Sequence, residues 1–242
     1  MADLYAGAAR AADVRVGAPQ AAAVYLGNTL IWSPKTYYLD NFSRATLGAA
    51  WRTDQLSNPS AVISDSTRLQ AGSVANNTGR QAASWATYVA GQFGTDNQYV
   101  RAQLTDPSWG RTGDCYTSIF LAGDSTLTHL VSLTCSTTAR NGTQLIHLTG
   151  GTPNGVGNAA SGGSRQRTVA TVDAGISRSS QIELQRRGNQ FDTYVDGVAM
   201  QSETIAVGSG YRYWGVCVEA LDPLFGSQSA SQAIYWIEAG DL

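Results

Sequence analysis

The stretch Gln181–Gln201, QIELQRRGNQFDTYVDGVAMQ, decides the fold class. Ile182 and Leu184 alternate with Glu183 and Gln185. After Gly188-Asn189, the residues Phe191, Thr193 and Val195 alternate with Asp192, Tyr194 and Asp196. A period of two marks strands with one buried face. The two links, Gly188-Asn189 and Asp196-Gly197, suit two-residue hairpins. Asp-Gly in particular suits a type I′ turn, whose two central residues need positive φ. The segment predicts a three-stranded meander in fixed register, because a one-residue slip would carry the apolar set to the wet face. Arg186 and Arg187, adjacent in one strand, are expected to point to opposite faces.

The same reading extends outward from the meander. Strands are predicted over 61–63, 98–104, 115–122, 127–135, 143–149, 168–172, 180–187, 190–195, 198–205, 211–220 and 233–238. Gly123-Asp124, Asn141-Gly142 and similar turn signals separate them. Many short strands at this spacing argue for an antiparallel sandwich or barrel. Composition agrees: only 14% of the 242 residues are charged and 26 are Gly, a mixture that suits strands and turns better than long surface helices. The segment 149–164, TGGTPNGVGNAASGGS, has no apolar period and reads as a long loop.

Residues 1–36 differ from the rest. Ala2–Ala12 is the one plausible helix. Further on, Ala23–Leu26 and Thr29–Trp32 flank Gly27-Asn28 as a small hairpin, closed by Ser33-Pro34. This is too little to hold a core. It is expected to be a docking or assembly segment, with residues 37–242 forming the main domain.

The net charge of −2 and the absence of a dense Lys/Arg stripe speak against a nucleic-acid partner. No apolar run reaches the roughly 20 residues of a membrane helix, so membrane insertion is not expected. The three cysteines, Cys115, Cys135 and Cys217, sit among apolar and β-branched residues. They read as buried thiols, with a Cys115–Cys135 bridge as the alternative.

Several chemistries are tested and set aside. Gly155-Val-Gly157-Asn-Ala-Ala160 lacks the flanking strand and helix of a dinucleotide fingerprint. If Asn141-Gly142 is a two-residue turn, His147 faces Ser136 and lies roughly 23 Å along the strand from His129. A shared metal is then excluded, and His129 has the parity of the core-facing set. Asp192 and Asp196 share a face, but Asp196 belongs to a turn, so no paired carboxylates of a glycosidase are evident. No catalytic residue and no cofactor or metal site is predicted. Trp51, Trp85, Trp214 and Trp236 read as core. Trp109 and Tyr211, in loops beside Gly110 and Gly210, are the candidate ligand-binding residues. Exposed aromatic rings in loops can stack on a sugar or anchor a partner.

Two sets of residues carry a family resemblance. Asp40-Asn-Phe-Ser-Arg44, Leu47-Gly48 and Trp51 resemble the opening of concanavalin A-like, laminin G-like jelly-roll domains. Phe191–Val198 and the closing Ile234–Leu242 also resemble that family. Ala23–Pro34 is similar to the N-terminal run of minor tail proteins of actinobacteria-infecting bacteriophages. The resemblance implies an all-β, two-sheet antiparallel jelly-roll. It further implies a virion protein of the phage tail tip, made in the host cytoplasm. Its implied partners are other tail proteins, through residues 1–36, and host cell-wall glycan. Assembly as a homo-oligomer, a trimer among the symmetric options, is expected. Hydrolytic members carry a Glu-x-Asp-x-x-Glu-like strand that this sequence lacks, and no acidic calcium loop matches either. The expected function is structural and adhesive, not enzymatic. The alternatives are a free carbohydrate-binding module and, after it, a glycoside hydrolase.

Overall fold

The computed structural model describes residues 5–6, 9–10, 24–26, 29–32, 36–55, 61–64, 66–72, 80–108, 111–112, 115–136, 142–149, 166–173, 175–222 and 227–242. The chain divides into two compact units, Met1–Thr36 and Tyr37–Leu242. In the first unit, β1 (Tyr5–Ala6) pairs with β2 (Ala9–Arg10), and β3 (Val24–Leu26) with β4 (Thr29–Trp32). The expected hairpin across Gly27-Asn28 is present, with Leu26 opposite Thr29. The expected helix over Ala2–Ala12 is not: two short paired strands stand in its place. A helix would have to run through Gly7, at about 1 kcal/mol relative to Ala.

In the second unit the strands are β5 (Tyr37–Asp40), β6 (Trp51–Gln55), β7 (Ala61–Ser64), β8 (Arg68–Ala71), β9 (Arg80–Tyr88) and β10 (Asn97–Thr105). Then come β11 (Arg111–Thr112), β12 (Thr117–Gly123), β13 (His129–Ser136), β14 (Gly142–Thr149) and β15 (Gln166–Asp173). The meander follows as β16 (Gln181–Arg187), β17 (Gln190–Val195) and β18 (Val198–Thr204). Last are β19 (Tyr213–Asp222), β20 (Ser229–Ala230) and β21 (Ala233–Asp241). They form two sheets, and the described residues contain no helix. The back sheet has eight strands in the order β18-β17-β16-β10-β21-β8-β7, with β5 also on β21. The front sheet has nine, built on β19-β12-β13-β14-β15, with β9 and then β6 on the other side of β19. Pairing is antiparallel except for the two-residue contact of β11 with β20.

The meander forms as its alternation requires. Ile182, Leu184, Phe191 and Val195 are buried, while Glu183, Gln185, Asp192 and Tyr194 face outward. Asp196 has φ 50° and Gly197 φ 77°, the two positive values of a type I′ turn. Its inward residues join Trp51, Trp214, Ile119 and Leu133 in one core between the sheets. Each such side chain contributes about 1.5–3 kcal/mol by leaving water.

The front sheet is buried on both faces. Trp85, Phe120, Leu130, Ile146 and Leu148 form a second apolar cluster on its other side. Trp85 is thus core as expected, but not in the core between the sheets. Trp236 is not core. A register shift of β21 against Gln103/Leu104 leaves Tyr235 exposed and Trp236 half-buried on the outer side of the back sheet. All three cysteines are buried free thiols, so the alternative Cys115–Cys135 bridge is not formed. Burial pushes the Cys135 thiol up to about 12.

The register of β13 and β14 corrects the hairpin read at Asn141-Gly142. Gly142 faces Ser136, and His147 faces Val131. That register sets Leu133 opposite Leu145 and Leu130 opposite Leu148, apolar against apolar on both faces. His129 and His147 therefore share a face as diagonal neighbours, about 7 Å apart, not a strand's length apart.

Candidate functional site

One end of the sandwich gathers the loops 89–96, 124–128 and 205–212 and the turn Gly188-Asn189. Their backbones are tied directly. Phe93 N–H donates to the Arg212 carbonyl (3.3 Å), Ile205 N–H to the Asn189 carbonyl (2.8 Å), and Gly210 N–H to Asp96 Oδ1 (3.2 Å).

Arg186 holds this end together. It takes the last inward position of β16 and its side chain is only 1% exposed. Its Nε donates to the Gly188 carbonyl (2.8 Å), Nη1 to Tyr211 (3.2 Å) and Nη2 to Gly208 (3.1 Å). Asp96 Oδ1 lies 3.6 Å from Nη1, and the Phe191 ring 6.0 Å from the guanidinium carbon. Burial draws the Arg186 pKa below the ordinary guanidinium value, and the Asp96 charge opposes that. A buried cation needs such a set of partners, because an unpaired one costs several kcal/mol. The expected opposition of Arg186 and Arg187 is present: Arg187 is exposed and pairs with Asp192 (3.0 Å).

Tyr211 lies in the loop before β19, half-buried. Its ring stacks on His129 with centroids 5.1 Å apart and planes at 17°. Gly208 sits against the ring; a methyl group there would come within 3.1 Å of Tyr211 Cε2. The Tyr211 carbonyl also accepts from Gln98 Nε2 (3.0 Å). With one face against His129 and its ring packed on the core, Tyr211 is a fixed, half-buried ring at the loop end. Trp109, the other candidate, lies outside the described residues.

His129 opens β13 and is 36% exposed, with Nδ1 3.6 Å from Asp124 Oδ2. Asp124 accepts from Thr128 N–H (2.7 Å), from the Thr128 hydroxyl and from Thr126 (3.3 Å). Burial alone would raise its pKa, but these bonds outweigh it and hold the carboxyl below its ordinary value. The loop is strained: Leu127, buried, has φ 55°, in a region that bulky residues avoid. In the loop after Tyr211, Arg212 Nε is 3.2 Å from Asp96 Oδ1, an ion pair without hydrogen-bond alignment. Asp124 and Asp96 thus each brace a loop that carries one of the stacked rings. Among the described residues no three His, Cys, Asp or Glu side chains gather as metal ligands. Sequence parity opposed Arg186 to Arg187 but did not mark Arg186 as the residue that ties the loops; Asp96 and Asp124 carried no signal beyond loop position.

The residues of the Asp40–Trp51 resemblance lie elsewhere and form a closed knot. Asp40 accepts from Phe42 N–H (2.8 Å), Arg44 Nη1 and Nη2 (2.6 and 2.7 Å) and Trp51 Nε1 (2.7 Å). Arg44 also donates to the Leu47 carbonyl (2.9 and 3.1 Å). Burial raises the Asp40 pKa, but the Arg44, Phe42 and Trp51 bonds prevail and lower it. A cavity of about 360 Å³ opens beside the knot, between Leu39, Arg44, Leu47 and Tyr88. Because the carboxylate is fully engaged, the motif secures the start of the domain and has little left to offer a ligand.

Solved structures share this architecture. The exoplasmic/lumenal domain of VIP36, in a Ca²⁺/Man2-bound form, aligns at TM-score 0.55 and 9% identity, covering 85% of this chain and 87% of that one. The Emp47p carbohydrate recognition domain aligns at TM-score 0.51 and 12% identity, covering 85% and 94%. A Bacillus licheniformis β-glucanase gives TM-score 0.51 and 10% identity, covering 84% and 97%. No family model and no curated protein matches the chain. The fold is an all-β, lectin-like jelly-roll, and likeness at this identity establishes the fold alone.

Proposed function

We propose that this chain is a glycan-binding, non-catalytic jelly-roll domain of a phage tail tip, attached to neighbouring tail proteins through residues 1–36. The observation that carries the glycan reading is the half-buried Tyr211–His129 stack at the loop end, where fixed loops hold two rings partly open to solvent. Pyranose rings present an apolar face, and aromatic surface held in a fixed loop suits it. The lectin-like fold supports it. The tail setting draws its support from the Ala23–Pro34 resemblance and from the chain dividing at Thr36.

A non-catalytic role is supported by the front sheet. Among the described side chains of its outer face, Glu219 is the one carboxylate, fully buried and accepting from Tyr116 N–H (3.1 Å). Glycoside hydrolysis needs two carboxyl groups flanking the scissile bond.

Titration of the chain with host cell-wall glycans tests the first part. Tyr211→Ala keeps the carbonyl that Arg186 and Gln98 use but removes the ring. It should weaken binding at least ten-fold while the chain still unfolds in one cooperative transition, at a lowered temperature because the ring also packs on the core. Equal affinity, or no binding across a broad glycan panel, overturns the assignment. Antibody labelling of particles by electron microscopy tests the setting. A chain lacking residues 1–36 should keep the sandwich yet fail to enter particles. Normal incorporation favours a free carbohydrate-binding module.

A further inference from the structure

The outer face of the back sheet is rich in aromatic side chains, and its charged groups are paired sideways. Two adjacent rows cross the strands. The first runs Tyr37, Gly240, Tyr99, Gln185, Asp192; the second Leu39, Glu238, Arg101, Glu183, Tyr194. Tyr37 is 56% and Leu39 58% exposed, and Tyr235, at 51%, extends the apolar area at one end. The polar members bind one another sideways. Tyr37 donates to Glu238 (3.3 Å), Arg101 pairs with Glu238 and lies 3.8 Å from Glu183, and Gln185 donates to Glu183 (2.6 Å). Burial, then the nearby Glu238 charge, pushes the Tyr99 phenol up to about 12, so it stays a neutral ring.

This arrangement distinguishes between occupants. A sugar needs donors and acceptors free to face it, whereas a flat protein partner can cover an already paired network at small desolvation cost. Tyr and Arg beside apolar groups also make up the centres of protein interfaces. Five strands of this face cover roughly 600 Å² per copy, or about 1,200 Å² in total, the lower end of stable specific contacts.

We propose that this face is a two-fold interface with a second copy of this chain, its axis running across the strands between the two rows. Each row then meets the other row of the second copy. Tyr37 packs on Leu39, Tyr99 lies over Arg101 as a cation–π pair, and Tyr194 reaches Asp192. An axis running along β10 is excluded by charge, because it would set Arg101 on Arg101 and Glu238 on Glu183. Sheet twist rotates facing sheets by about 30°, so the central Tyr99–Arg101 contact is held best.

The inference is independent of the glycan reading and uses a surface distinct from residues 1–36. Sedimentation equilibrium of the full chain at about 100 µM, where a contact of this size should associate, tests it. Leu39→Lys and Tyr37→Asp replace exposed residues, so folding should be unchanged. Each should raise the dissociation midpoint at least ten-fold, while Ser125→Lys, at an exposed position in the front-sheet loop 124–128, should not. A monomeric wild type, or an oligomer indifferent to both substitutions, overturns the proposal. So does a monomer whose glycan affinity falls in Leu39→Lys, which would make the face a sugar site.

Discussion

In β16 of the back sheet, Ile182, Leu184 and Arg186 are covered while Glu183, Gln185 and Arg187 are not. In β12 of the front sheet all seven residues from Thr117 to Gly123 are buried. One sheet has an inside and an outside; the other has two insides. A side chain in the back sheet therefore answers to one packed layer, and a side chain in the front sheet to packing above and below. Substitutions in the two sheets should differ accordingly.

The strongest contrast lies in glycines. Gly215 of β19 sits under the Phe120 ring, and a methyl group there would fall 2.0 Å from the Ala86 carbonyl oxygen and 2.8 Å from Phe120. Gly215→Ala should cost about 3 kcal/mol or more in a denaturant titration, because neither backbone nor ring has room to yield. A loss under about 1 kcal/mol would show that the front sheet is not packed on both faces.

Next is the knot that starts the main domain. Asp40→Ala strands the buried Trp51 indole N–H and the Phe42 amide, and should cost about 2–4 kcal/mol. Acid should act on the same group. The folded pKa of Asp40 lies below its unfolded value, so its contribution is complete above about pH 4 and is lost as pH falls through the folded value. Asp124 has the same sign. Unfolding free energy should drop as pH falls below about 4, and by less in Asp40→Asn. An equal slope in both proteins would remove Asp40 from the account.

The back-sheet substitutions should be small. Gly197→Ala meets nothing within 4 Å but keeps φ at +77°, so backbone strain alone should cost about 1 kcal/mol. Gln181→Ala, on the outer face, should stay within about 0.5 kcal/mol of the native protein. If it cost as much as Gly215→Ala, the distinction between the sheets would fail.

The same distinction explains what could be read in advance. The strands β16 and β17 of the back sheet alternate, so the meander, its turns and the opposition of Arg186 and Arg187 were legible residue by residue. In the front sheet β9 was missed: RQAASWATY alternates nothing, because Trp85 and Ala86 are buried on opposite sides. The β13–β14 register was misread because a local Asn-Gly turn signal was weighed without the cross-strand pairing of Leu133 with Leu145. Trp236 was placed inside because nothing local announces a register shift between partner strands. Of the candidate site, Tyr211 was singled out by its loop position. Its stacking on His129 joins residues 82 positions apart and leaves no trace in spacing.

Taken alone, the sequence determined most of the strand-and-turn alphabet, the all-β class and the face on which the residues of β16 and β17 lie. These depend on a two-residue period and on which residues tolerate positive φ, both local properties. Only the tertiary structure decided that the front sheet has two buried faces, that Arg186 ties three loops and that His129 meets Tyr211. Those outcomes depend on which strands become neighbours, a choice made by burying the largest apolar area at once rather than by any one segment.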